Sequence, residues 1–281
     1  MQFFVSIFLA IVWSLALPLC SQAEVVGHFQ KVEGPVDLLK QGNLPALAPK
    51  EKDGVEPGDV TRTKSQGRAQ VKFVDDSVLT IAPGSRVAIE SYMYDASKGS
   101  RKAVLQVFRG MVQTVVTKIL KTQEPDFVIK THTAVLGVRG TKTYTLLGPN
   151  ATDVYNESGR VSVRNIFPEI PGEVFLNALE FSRIMTNFTP TAAMPFQRQD
   201  LGPLQRMLVT GEGLSMSPGA LGGPAPFAFL DRVGLPSLQS LMADPQSSLY
   251  RPPQLPSVAT PAAPVQTFTI PSGGTSIGTS T

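Results

Sequence analysis

The sequence predicts an all-β protein, and three observations carry that prediction. Apolar and polar residues alternate at period two in short runs such as Ala69-Gln70-Val71-Lys72-Phe73-Val74, the spacing that sends every second side chain to one face of a strand. These runs are rich in Val, Ile and Thr, which pack well on a pleated surface. Turn residues punctuate them at short intervals, and 24 Gly and 24 Pro in 281 residues exclude a helical bundle or coiled coil. The expected architecture is a single sandwich- or solenoid-like antiparallel β domain with a Pro/Gly/Ser-rich C-terminal tail.

In chain order, residues 1–23 read as a signal peptide. Phe3 to Leu19 carries no charge, Pro18 closes it, and Ser21-Gln22-Ala23 supplies the small residues a signal peptidase reads. The run is shorter than the ~20 residues of a transmembrane helix, and no later stretch approaches that length. An exported protein, periplasmic or secreted, is therefore expected, with no span after cleavage. Cys20, the sole cysteine, leaves with the signal, which excludes a disulfide framework and a Cys-based zinc site.

Residues 24–190 supply the β domain. Ala69 to Val74 and Ser77 to Ile81 flank Asp75-Asp76, a turn dipeptide whose carboxylates bond the local backbone. Pro83-Gly84 precedes Arg86 to Glu90, and further strands are predicted at 104–108, 112–116, 127–130, 133–138, 143–147, 152–155 and 161–164. A helix over 111–121 competes at one point, where Val115, Ile119 and Leu120 share a helical face; Gly110 and the β-branched run 114–117 favour strand. Gly159 between two runs predicts a hairpin turn. Residues 174–176 and 181–185 can close the domain.

Several of these stretches together resemble a FecR-type domain: Gly58-Asp59-Val60-Thr61-Arg62-Thr63, residues 69–73, 76–81 and 105–112, then Thr133-Ala134-Val135-Leu136-Gly137-Val138-Arg139-Gly140-Thr141, and finally 152–163. The likeness spans about Gly58 to Arg164. It implies an all-β domain outside the bacterial cytoplasmic membrane, in a family whose namesakes relay a signal from an outer-membrane iron-siderophore receptor to a cytoplasmic sigma factor. Those regulators carry an anti-sigma segment and a transmembrane helix ahead of the domain, where this sequence reads as a signal peptide. The resemblance thus implies fold and compartment, not the sigma-factor circuit.

Within it, Gly137, Arg139, Gly140 and Thr141 form the candidate site. Two glycines three apart mark a backbone that bends or approaches another strand. Arg139 between them has five donors, for locking a corner or for an anionic partner group. Residues 24–165 hold 20 basic and 15 acidic residues, with all twelve lysines between Lys31 and Lys142. That excess suits an envelope protein or an anionic cell-wall polymer as partner; it is too small to predict nucleic-acid binding.

Catalytic patterns are missing from the sequence. His28 and His132 are not spaced as a metal pair, and no nucleophile elbow or phosphate-binding loop is present. Asp75 and Asp76 are adjacent, so on a strand they would point to opposite faces and cannot flank one bond. No cofactor or metal is expected. The predicted function is a non-enzymatic, exported, FecR-type binding or signalling-associated module. A structural or adhesive surface protein is the alternative, and a cell-wall hydrolase a more distant one. From residue 191 to 281 the composition turns to Pro, Gly and Ser and predicts a flexible tail, with one short helix at 200–208 started by Asp200.

Overall fold

The computed structural model describes residues 24–119 and 125–211; the predicted signal peptide with Cys20, and the Pro-rich stretch after 211, lie outside the described residues. The first nine strands are β1 (Gly27–Glu33), β2 (Val36–Leu39), β3 (Gly54–Val55), β4 (Val60–Thr63), β5 (Arg68–Phe73), β6 (Val78–Ile81), β7 (Arg86–Asp95), β8 (Ser100–Arg109) and β9 (Met111–Val115). Then come β10 (Phe127–Lys130), β11 (Ala134–Leu147), β12 (Ala151–Asn165), β13 (Glu173–Leu176), β14 (Glu180–Met185) and β15 (Met194–Pro195). One helix, α1, covers Leu201–Thr210.

All these strands belong to one curled sheet with two limbs. One limb runs β2-β4-β7-β8-β10, the other β3-β1-β5-β6-β9. Both arrive on the same edge of β11, β10 against its residues 135–138 and β9 against 142–146. The opposite edge of β11 pairs with β12, which carries β13 along 161–164 and β14 along 151–156.

The limbs face each other across the core. The Phe73 ring of β5 stacks on Tyr92 of β7 at 4.6 Å, and Phe127 meets both rings edge-on. Val71, Leu79, Ile89, Leu105, Leu136 and Val163 complete this interior. Each large aliphatic side chain buried here contributes about 1.5–3 kcal/mol, and alternation along the strands is what delivers them to one side.

Three local expectations change. The sheet is mixed, because β8 and β10 are parallel, Phe127 facing Ala103 and Lys130 facing Gln106. The physical reason is the excursion between them: β9 joins the other limb, so the chain returns in the direction of β8. The two predicted strands at 133–138 and 143–147 are one strand, β11, continuous through the glycine motif. Gly159 does not make a hairpin turn; it sits inside the fifteen-residue β12, where a bulge bends the strand without reversing it. The stretch beginning at Met111 is strand, as its β-branched residues favour.

Packed structure also continues past residue 190. On α1, Leu201, Leu204, Met207 and Leu208 fall on one face and bury against Tyr144, Leu146, Tyr155 and Phe181. These belong to the outer face of the second limb, since Tyr155 and Val154 point to opposite sides of β12. Asp200 does not cap this helix by its side chain. Its carboxylate accepts the Gln197 amide at 2.8 Å and closes the turn ahead.

Candidate functional site

The site grows from the place where β11 and β12 pass from one limb to the other. Register shifts between Arg139 and Lys142, which is how strands turn a corner between facing sheets. Gly140 (φ +61) and Gly159 (φ +81) adopt the left-handed conformation on the two strands, which side chains resist. A Cβ on Gly159 would lie 2.2 Å from the Gly140 carbonyl oxygen. Thr141 is buried and exchanges backbone hydrogen bonds with Val116 at 2.8 and 3.2 Å. Gly159→Ala is expected to lose about 1–3 kcal/mol from backbone conformation alone, and more from the overlap, read as a lower midpoint in urea. Unchanged stability would show that the corner relaxes freely.

Of the four predicted site residues, Gly140 and Thr141 build the corner, while Gly137 and Arg139 face outward. Alternation puts Leu136 and Val138 in the core, so Gly137 and Arg139 share the outer face. Across the ladder Gly137 opposes Ser162, Ser162 opposes Phe175, and Arg139 opposes Arg160. Two small residues side by side leave a depression. The resulting groove has a volume of about 380 Å³, with Lys118, Arg139 and Arg160 on its walls and Phe175 on its rim.

The cations are held in place. The Arg160 guanidinium lies over the Phe175 ring, 4.3 Å from its centroid, and Arg139 Nη2 donates to the Ile119 carbonyl at 3.2 Å. Among the described residues, neither Lys118 nor Arg160 has a carboxylate within ion-pair distance. Two arginines directly opposite each other are a destabilising arrangement in a sheet. Sequence reading missed Arg160, Lys118 and Phe175, because only the register of three strands brings them together.

A buried charge network positions one wall of this groove. Arg101 of β8 is fully enclosed and bonds to Asp75, to Ser77 Oγ at 3.0 Å and to Asp126 Oδ1 at 2.6 Å. It also donates to the Thr117 carbonyl at 3.1 Å. Thr117 and Asp126 adjoin Lys118 and Pro125, two residues that line the groove, so the guanidinium holds the backbone beside each of them. Burial pushes the Asp75 carboxyl up, but hydrogen bonds from Tyr92, Ser77 and Arg101 outweigh it and hold the pKa below the ordinary carboxylate value. Burial likewise opposes charge on Arg101, and Asp126 and Asp75 overcome it to raise its pKa.

The other predicted polar features separate. Asp75 accepts the Ser77 amide at 3.1 Å in a tight turn, while Asp76, with φ +65, points out to Lys72 at 2.7 Å. His28 and His132 are both exposed. Among the described residues, no group of three His, Cys, Asp or Glu could hold a metal, and no helix is long and apolar enough to cross a membrane.

A curled sheet folded around one long bent strand pair, with a charged outer groove at the bend, defines an all-β module. Residues 59–163 match the model of the family described as FecR protein, so that stretch is a FecR-type domain. No curated protein matches the chain. Two crystal structures of a candidate anti-sigma factor from Parabacteroides distasonis are similar at 16% and 17% identity, with TM-scores of 0.42 and 0.41. Each likeness covers 52% of this chain and 64% of the solved one, under two thirds of its length.

Proposed function

We propose that the chain is an exported, non-enzymatic binding module of the bacterial envelope, recognising an anionic envelope component through the outer face of its FecR domain. The observation that carries this reading is the groove beside the glycine-arginine stretch, which Lys118, Arg139 and Arg160 line. Cations set in a shaped depression attract and orient anions. The sequence-level signal peptide and the compartment implied by the family support export. The signalling role of the family supports recognition over turnover.

Osmotic-shock fractionation tests the address, and capture from an envelope extract by the full chain tests the recognition. The protein is expected in the periplasmic fraction or the medium. Its bound component should be retained at low ionic strength and released at about 1 M salt, where the screening length falls to about 3 Å. A cytoplasmic protein, or capture indifferent to salt, would sink the reading.

A further inference from the structure

We infer that residues 235–242 of this same chain dock as a short helix on the outer face of the first limb, as α1 docks on the outer face of the second. This goes beyond the reading above and does not depend on what the groove binds.

The first observation is a repeated apolar stripe. In α1 the buried residues are Leu201, Leu204, Met207 and Leu208, within Leu201-Gly202-Pro203-Leu204-Gln205-Arg206-Met207-Leu208. Thirty-four positions on, Leu235-Pro236-Ser237-Leu238-Gln239-Ser240-Leu241-Met242 has Leu235, Leu238, Leu241 and Met242 in the same four places, and Gln239 where α1 has Gln205. Pro236 suits the first turn of a helix, and Pro245 ends one. A helix this short is not stable alone in water and forms by laying its stripe on an apolar surface. The surface that α1 takes, with Tyr144, Leu146, Tyr155 and Phe181, is already filled.

The second observation is a matching surface on the other limb. Leu105, Phe127 and Leu136 belong to the core, so their neighbours Val104, Val128 and Val135 point outward. Val104 and Val128 are direct partners on β8 and β10, and Val128 faces Gly137. All three valines stay partly exposed, and Phe108, further down β8 on the same face, is 47% exposed. The patch has walls: Ala46 packs over Val60 and Ala88 to one side, and Pro125 lies against Gly137 at the upper end. Among the described residues, the one α-helix packs elsewhere.

The third observation is where the described chain leaves the fold. After α1 comes Gly211, where a Cβ would lie 2.6 Å from Pro83, in the turn that passes from β6 of the second limb to β7 of the first. The next residue of that turn, Gly84, accepts Arg109 Nε at 3.1 Å, so the chain departs beside the lower end of β8 and Phe108. Val104 to Phe108 spans about 17 Å at strand spacing, and the chain from 212 to 234 reaches up to about 75 Å. Residue 235 can therefore arrive on this face without unseating α1.

The test is the alkylation rate of a single thiol, Val128→Cys, in the full chain with Cys20→Ser. Adding Leu238→Asp and Leu241→Asp is expected to speed alkylation about ten-fold or more, the factor that an opening free energy of about 1.4 kcal/mol gives. The same pair should leave the rate at Met93→Cys, a control 69% exposed in the native chain, and the melting temperature of the sheet unchanged. Deuterium exchange of the native chain gives a second measurement that needs no new cysteine. Amides 238–243 should exchange about ten-fold or more slowly than those of 272–279, and the aspartate pair should abolish the difference. A thiol rate indifferent to the aspartates, or amides 238–243 exchanging as fast as 272–279, would overturn the docking. Acceleration at Gln113→Cys on the second limb, in place of Val128→Cys, would overturn the assignment to the first limb. Protection that fades on dilution would move the contact to a second copy and overturn docking within one chain.

Discussion

Arg101→Met is expected to destabilise the protein by about 3–5 kcal/mol, the cost of stranding buried partners when one member of an ion-pair cluster is removed. The Arg101 side chain is wholly enclosed, with Asp75 and Asp126 almost equally so, and methionine fills much of the volume without replacing a donor. Arg101→Lys should recover part of the loss, because one ammonium keeps the charge but cannot span Asp75, Ser77, Asp126 and the Thr117 carbonyl together. Urea denaturation followed by far-UV circular dichroism reads both variants. A cost below about 1 kcal/mol for the methionine variant, the ordinary value of a surface pair, would show that the network is not a clamp.

Acid provides a second reading of the same network, and its sign differs between the two proteins. In the native chain Asp75 titrates below its ordinary value, so its contribution is present above the unfolded carboxylate pKa of about 3.9 and is lost as pH falls through the lower, folded value. Without Arg101 the burial effect on Asp75 loses its main charged counterweight, and the carboxyl is driven up. The methionine variant should then lose less stability than the native protein on acidification below about pH 4. Parallel pH profiles would rule out a charged Asp75 as the group at stake. Because Thr117 and Asp126 adjoin Lys118 and Pro125, which line the groove, the variant should also bind anions more weakly than its residual fold would suggest.

Legibility in the sequence followed the range of the interaction. Strands β5 to β8 were readable because their alternation is uninterrupted and their turns are local, as with Asp75 accepting the Ser77 amide two residues on. Strand β1 was not singled out: a bulge between Phe29 and Lys31 breaks its period and leaves few inward apolar residues. The motif at 137–141 was visible as a bend, but its counterpart at Gly159 was mistaken for a turn, because a left-handed glycine serves a bulge and a hairpin alike. Arg101 and Asp126 carried no signal at all. They lie 26 and 51 positions from Asp75, and only the packing of limb against limb makes them neighbours. The groove is of the same kind, for Arg139 and Arg160 oppose each other through register alone.

Register is also what the second large effect tests. Asp153 of β12 and Arg183 of β14 are direct cross-strand partners, joined by two hydrogen bonds of 2.6 and 2.7 Å and both essentially solvent-free. Burial pushes the Asp153 carboxyl up, while Asp153 helps raise the Arg183 pKa against burial. Either Asp153→Val or Arg183→Met alone is expected to cost about 3–5 kcal/mol, since each leaves one buried charge uncompensated. The double variant should return close to the native stability, because apolar residues of similar size replace buried ion pairs at little or no net cost. A double-mutant cycle in urea measures the coupling directly; additive losses would mean that the pair is surrounded by polar support that survives its removal. If the double variant is near native, attraction is not why the pair occupies this position. A one-residue slip of β14 would turn Phe181 away from Tyr155, on which it packs at 4.6 Å, and from the face that α1 covers. It would also separate Asp153 from Arg183, and burying either charge alone is far more costly than losing an aromatic contact. The pair therefore acts most strongly on the misaligned sheet, excluding it, and the double variant should reveal this as broadened unfolding even where its midpoint is unchanged.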